Sequence, residues 1–323
     1  MPKFIPHKHK IRVGITLGDP SGIGPLVVAK ALSKVHSLAE FVVIGDKKVF
    51  DMCHVSCAMC PGVKFIDLNN VSRKNFSFGK VKPEYGRASI QYLDQALELI
   101  KNQEIDCLVT APISKEAINL AGFHYSGHTE YLEKNTHTSH TVMMLLNKQL
   151  KFSLVTRHTP LKKVSEEINK GKVVQVIRTT CLGLRQLFLI KRPRIVVCGL
   201  NPHASDNGII GTEENKIIKP CIKRLKRLPG HIAGPYPAEV AIKKAYQGDF
   251  DCVIAMYHDQ SLIPLKLLGD ESGVNLTLGL PFIRTSPLHG TAFDIAGTNS
   301  ANPASMIAAI KLAIKCALNQ KRA

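Results

Sequence analysis

The chain has no tryptophan, and its aromatic complement is 12 phenylalanines and 7 tyrosines in 323 residues. With no stacking platform and no nucleic-acid-binding motif among them, a primary nucleic-acid partner is not expected. No apolar run approaches the ~18 residues that a membrane span needs, so no membrane segment is expected either. The opening MPKFIPHKHK is basic but lacks the apolar core of a secretory signal. Acidic residues are scarce, 25 against 43 Lys and Arg, which leaves a formal net charge of +18. The excess gathers in short runs at residues 3–12, 223–227 and 321–322. Such runs read as a solvated basic surface suited to steering phosphorylated ligands. Nine cysteines, an odd number scattered through apolar runs, fit reduced thiols and a cytoplasmic location. Cys53, Cys57 and Cys60 have the spacing of an iron–sulfur cluster of radical enzymes. Pro61-Gly62 ends that element at once and nothing else supports a cluster, so these are read as incidental thiols.

A hydrophobic content of 45% with 21% charge is that of a globular chain, long enough for two domains. Strands are expected at 12–17, 40–44, 106–110, 151–156, 194–198, 251–256 and 274–280, where short apolar runs meet turn residues. Helices are expected at 26–35, 87–101, 161–168, 212–228 and 238–246, with a terminal helix after Asn302-Pro303. Residues 69–85 read as a loop. Strands alternating with helices predict an α/β fold with a mostly parallel sheet. The glycine-rich GDPSGIGP at 18–25 is neither a dinucleotide fingerprint nor a P-loop, and reads first as a tight turn. The SGHTEYLE segment at 126–133 marks a helix start, capped by Ser126 or Thr129. Its exposed N–H groups, with His128 and Thr129, would also seat a phosphate. Lys115 suits either an anion contact or a first-turn surface position.

Three strands end in the same way. The run at 151–156 leads to Arg157-His158, that at 194–198 to Asn201-Pro202-His203, and that at 251–256 to Tyr257-His258-Asp259. Ligands of open parallel sheets sit beyond the carboxyl ends of the strands. A lone histidine there is ordinarily structural, whereas three at one sheet edge are also able to converge on one divalent cation with open coordination positions. The run at 274–280 and the residues after it deliver Asn275, Arg284 and His289 to further strand ends, and Lys266 lies just before.

The ending HGTAFDIAGTNSANPASMI resembles the adenosine-binding loop of the isocitrate and isopropylmalate dehydrogenases. GDPSGIGP, TAPISK, GHTEYLE, TRHTPL, CGLNPHA, AMYHDQ and VNLTLGLPFIRTS, in this order, resemble the 4-hydroxythreonine-4-phosphate dehydrogenase (PdxA) family over nearly the whole chain. That resemblance implies two α/β/α domains with the active site in the cleft between them. Residues 1–135 with 285–323 would form the terminal, cofactor-side domain, and residues 136–284 the central one with metal ligands and dimer contacts. It implies His158, His203 and His258 as ligands of one divalent ion (zinc, magnesium or cobalt) in a homodimer, with His258 supplied by the neighbouring subunit. His128, Thr129, Lys266, Asn275 and Arg284 match substrate-binding positions. His289, Gly290, Asp294 and Asn302 match the loop for NAD or NADP, with a lean to NAD because no phosphate-binding arginine stands beside them. The implied reaction is NAD(P)-dependent oxidative decarboxylation of 4-phosphooxy-L-threonine in pyridoxine biosynthesis, with Asp259 or Lys266 as general base. The alternative substrate is a four-carbon sugar-acid phosphate. Two positions depart from the family pattern: Leu26 stands where an acidic residue is usual, and Ser114 where asparagine is usual.

Overall fold

A computed structural model describes residues 10–53, 62–268 and 271–322. Cys57 and Cys60 lie outside them. The chain forms two compact units, one of Met1–His124 with Gly290–Pro303, the other of Tyr125–His289 with Ala304–Ala323.

In the first unit the order is β1 (Arg12–Thr16), α1 (Gly24–Val35), β2 (Glu40–Gly45), α2 (Lys47–Asp51), β3 (Val63–Asp67), α3 (Pro83–Lys101), β4 (Cys107–Thr110) and α4 (Lys115–Leu120). The strands lie in the order β3-β2-β1-β4 and all pair in parallel. Val13, Ile15, Phe41 and Val43 on one face of β1 and β2, and Thr16 and Ile44 on the other, are buried, as a parallel sheet covered on both sides requires. Leu26 is buried on the core side of α1, so the usual acid is replaced here by packing. Ser114 keeps a capping role, its Oγ accepting from Ala117 N at 3.1 Å at the start of α4. Lys115 is an exposed first-turn residue.

The turn between β1 and α1 needs Gly18. Its φ is +70°, and a Cβ there would sit 2.2 Å from Pro112 O. The following Asp19 is fully buried. Its Oδ1 accepts from Ser21 N at 2.9 Å, while the buried Oδ2 has no hydrogen-bond partner among the described residues. Burial pushes this carboxyl up to about 7, against an ordinary value of 3.8, with the Ser21 amide pulling the other way. The folded chain therefore holds a proton that the unfolded chain releases between those values. Stability falls as pH rises through that window, by about 1.4 kcal/mol per pH unit. Asp19→Asn is expected to abolish this slope: its Tm should gain on the parent steadily from pH 4 to 7 and by a constant margin above. Parallel Tm-against-pH curves for the two proteins would refute the assignment.

The second unit runs α5 (His128–Asn135), β5 (Val142–Leu146), β6 (Lys151–Leu154), α6 (Val164–Glu167), α7 (Lys170–Leu187), β7 (Arg194–Cys198), α8 (Lys219–Arg224), β8 (His231–Tyr236), α9 (Ala238–Tyr246), β9 (Cys252–Ala255), α10 (His258–Leu267), β10 (Val274–Leu278), β11 (Ile283–Pro287) and α11 (Ala304–Gln320). Its strand order is β11-β10-β5-β6-β9-β7-β8. The pairs from β6 through β9 and β7 to β8 are parallel, and those joining β11, β10, β5 and β6 are antiparallel. The α/β, mostly parallel architecture expected from the sequence is thus present, with an antiparallel block in this unit.

Two details differ from expectation. The terminal helix α11 belongs to the second unit, not with the N-terminal residues. Its Ala309 O accepts from Thr285 Oγ1 at 2.9 Å, and Asn319 Nδ2 donates to Leu187 O at 2.8 Å. The helix expected at 212–228 is present but shorter, a π-turn at Glu214–Ile218 running directly into α8, which ends at Arg224. Among the described residues no helix is long and apolar enough to cross a membrane.

Candidate active site

Strands β6, β9 and β7 are parallel neighbours in that order, so the residues following them gather at one edge of the second unit's sheet. Leu154 pairs with Ala255. The pairing continues past the strand ends, with Val155 N donating to Ala255 O at 2.9 Å and Thr156 N to Met256 O at 3.1 Å. Carrying that register forward brings His158 beside His258, and their ring centroids lie 5.7 Å apart at 41°. Two imidazoles bound to one cation through bonds of about 2.0–2.1 Å would stand at roughly this separation. His258 Nδ1 lies 2.7 Å from Asp259 Oδ1. A carboxylate can only accept, so Nδ1 carries the proton and the Nε2 lone pair is left for a ligand. Both features fit a divalent ion.

His203 stands apart from that pair. Among the described residues no group of three His, Cys, Asp or Glu surrounds one point. The resemblance would have the neighbouring subunit supply His258; within one chain it is His158 and His258 that stand together. His203 begins five consecutive left-handed residues, His203 to Asn207, with φ of 53, 51, 70, 43 and 56°. None is glycine, and each such residue costs about 1–2 kcal/mol. Backbone strain of this kind persists where surrounding contacts fix it, commonly at functional sites.

Helix α5 is tied to the same strand ends. Arg157 Nη2 donates to Glu133 Oε1 at 3.0 Å, and Glu133 also accepts from Thr141 Oγ1. Glu130 is held below its ordinary value: burial opposes this, but hydrogen bonds from Ser126 and then the charges of Arg157 and His158 outweigh it. His128 is therefore the first residue of a helix whose opening turn lies in the electrostatic reach of His158, with Thr129 buried behind it.

The remaining anion-binding candidates lie on the antiparallel block. In the β10–β11 pair Asn275 faces Ser286 and Thr277 faces Arg284, which places these four side chains on one face. Asn275 Oδ1 is buried with no hydrogen-bond partner among the described residues. Arg284 is only 2% exposed and donates from Nη1 to Thr277 Oγ1 at 3.1 Å. Burial pulls its guanidinium down to about 9, still charged at neutral pH. Lys266 is exposed near the end of α10, about 12 Å along the helix axis from His258.

The nicotinamide-loop candidates Gly290, Asp294 and Asn302 belong to the first unit, whereas the half-buried His289 closes a stretch of the second. Asp294 and Asn302 are exposed. The loop is anchored to α1: Ile23 N donates to Thr291 O at 2.9 Å, and Lys30 Nζ to Asn299 O at 2.6 Å. Cys53 is half-buried and its thiol is pushed up to about 12, by burial and then by Asp51. A thiol so disfavoured as thiolate is a poor metal ligand.

Gln260, which no sequence motif singles out, links two strand ends. Its Oε1 accepts from Met256 N at 2.7 Å and its Nε2 donates to Gly199 O at 2.9 Å, bracing the ends of β9 and β7 together. The only sequence signal was its place directly after His258-Asp259.

Residues 29–313 match the family described as pyridoxal phosphate biosynthetic protein PdxA. The chain is 42% identical to a 4-hydroxythreonine-4-phosphate dehydrogenase of Sulfurihydrogenibium sp. (strain YO3AOP1), covering 94% of this chain and 98% of that protein. It is 39% identical to a D-threonate 4-phosphate dehydrogenase of Salmonella typhimurium, covering 94% and 98% respectively. The crystal structure of 4-hydroxythreonine-4-phosphate dehydrogenase from Klebsiella pneumoniae superposes with a TM-score of 0.85 at 36% identity, covering 95% of this chain and 99% of that one. Relatives this similar, all named as dehydrogenases, make the chain an oxidoreductase. On its motifs, its fold and these relatives together, the chain belongs to the PdxA family.

Proposed function

We propose that the chain oxidises 4-phosphooxy-L-threonine with NAD or NADP, giving a 3-keto acid that decarboxylates to 3-amino-2-oxopropyl phosphate in pyridoxine 5'-phosphate biosynthesis. The observation that carries this is the His158–His258 pair, with the His258 tautomer fixed by Asp259. A divalent ion held there would act as a Lewis acid on the substrate's oxygen and later on the charge left as carbon dioxide departs. His158, His203 and His258 would be its three ligands, in a homodimer whose subunits share the site. Ile263 and Leu267, 59% and 79% exposed on α10, support a second copy covering that helix. His128 and Thr129 at the start of α5 would hold an anionic end of the substrate, as would Arg284, Asn275 and Lys266. A nicotinamide bound there would take up the substrate's C3 hydride, and the hydroxyl proton would go to a base on the protein. Asp259 and Lys266 are the proposed bases. His289, Gly290, Asp294 and Asn302 would line the nicotinamide cofactor's adenosine. Its phosphorylated substrate, lack of a nucleic-acid partner and cytoplasmic location complete this reading.

The near-equal identity to a D-threonate 4-phosphate dehydrogenase favours one second reading, a four-carbon sugar-acid phosphate as substrate. The deciding assay is reduced-nicotinamide formation with 4-phosphooxy-L-threonine and NAD+, before and after chelation and with divalent metal restored. Metal-dependent turnover is the expected result. Turnover with 4-phospho-D-threonate alone would move the assignment to the second reading, and none with either would overturn both.

A further inference from the structure

Glu214 heads the π-turn after the left-handed run and is fully buried. Its Oε1 accepts from Leu200 N and Asn201 N, both at 2.8 Å, and its Oε2 from Asn201 Nδ2 at 2.9 Å. Among the described residues it makes no ion pair. A buried carboxylate satisfied only by amide donors is expensive to keep unless those donors need it. The donors here are the two peptides that carry the chain from β7 into the strained turn. The turn is closed onto the same carboxylate: a Cβ on Gly199 would come 3.1 Å from Glu214 Oε1 and 2.9 Å from Ala204 Cα. Ala204 N in turn donates to Asn201 O at 3.2 Å, and Asn215 Nδ2 to Asn207 O at 2.9 Å.

We propose that Glu214 is a positioning residue: its buried carboxylate fixes the peptides at Leu200 and Asn201 and thereby sets His203 for metal binding. This rests on the reading of His203 as a metal ligand. Glu214 does not touch substrate or metal; it acts through the turn. A neutral amide of the same shape keeps one acceptor oxygen but turns a donor toward Asn201 Nδ2, so the Asn201 contact is lost while the packing is kept.

The test is a titration of the metal-free, full-length protein with Co2+, followed by its visible absorption, alongside amide hydrogen exchange. Glu214→Gln is expected to weaken Co2+ binding about tenfold or more, the scale of a lost supporting contact to a metal ligand. Exchange at Leu200 and Asn201 should quicken, while exchange in β1 to β4 and KM for NAD+ stay unchanged. Asn201→Ala, which leaves the carboxylate in place, should show a smaller loss and covers the case of a Glu214 variant that does not fold. Variants that fold, with Tm altered or not, yet bind Co2+ as the parent does would overturn the role of Glu214 alone. A parent protein that binds no Co2+ would overturn the metal reading and this inference with it.

Discussion

His258→Ala is expected to lower kcat/KM by at least about a thousandfold while leaving Tm within a few degrees of the parent. The size follows from the proposed role. Lewis-acid stabilisation of developing charge is worth several kcal/mol, and about 4 kcal/mol is a thousandfold in rate. The small effect on stability follows from position. The His258 side chain is 31% exposed at the start of α10, and its Nδ1 contact is to Asp259, which is 69% exposed. Little packing is lost with the ring. His158→Ala should behave alike, since its ring is the other half of the pair. Asp259→Asn should be milder, about 10–100-fold, because it leaves both rings in place but frees the tautomer. Steady-state kinetics with Co2+ titration on each variant checks the order. A His258 variant within tenfold of the parent would remove the pair from the reaction.

Arg284→Met should separate function from stability in opposite directions. The guanidinium is buried, with burial itself acting against its charge. Replacing a buried charge by an apolar side chain of similar length is often neutral or stabilising, so Tm should hold or rise. Substrate binding should suffer: losing a desolvated charged partner costs about 2–5 kcal/mol, so KM for the phosphorylated substrate is expected to rise about a hundredfold. The pH dependence has a definite sign. A guanidinium pulled down to about 9 loses its charge as pH rises through that value. Parent affinity for substrate should therefore fall above pH 9, and the variant's should stay flat. An unchanged KM in Arg284→Met would place this arginine in the core alone.

Much of the fold was legible because apolar runs and turn residues mark where strands stop. The runs ending before His158, His203 and His258 are the observed β6, β7 and β9, and the polar residues just beyond them are the proposed site. Strand direction was not legible. The apolar run at 274–280 reads the same whichever way it pairs, so the antiparallel β10 could not be told from a parallel strand. Helix α7 went unread although its signal was present: Asn169 caps it, and Val173, Val176, Ile177, Cys181 and Leu184 form its buried stripe. Strands β3, β5 and β8 were likewise not anticipated; β3 and β8 are only partly buried and lack a clean apolar run. Gln260 and Glu214 were beyond reach for another reason. Both act on peptide groups far away in sequence, through contacts that neither residue type nor local spacing encodes. The left-handed run after Pro202 belongs with them, since HASDN carries no glycine to announce it.

The chain leaves the second unit after His289, contributes residues 290–303 to the first, and returns with Ala304. During synthesis, then, neither unit is complete until residues beyond His289 have been added. The first must wait for the loop that Ile23 and Lys30 anchor. The second must wait for α11, whose Ala309, Ile310 and Ala313 close its core. Until that late stretch has been made, each unit lacks a segment that belongs to it.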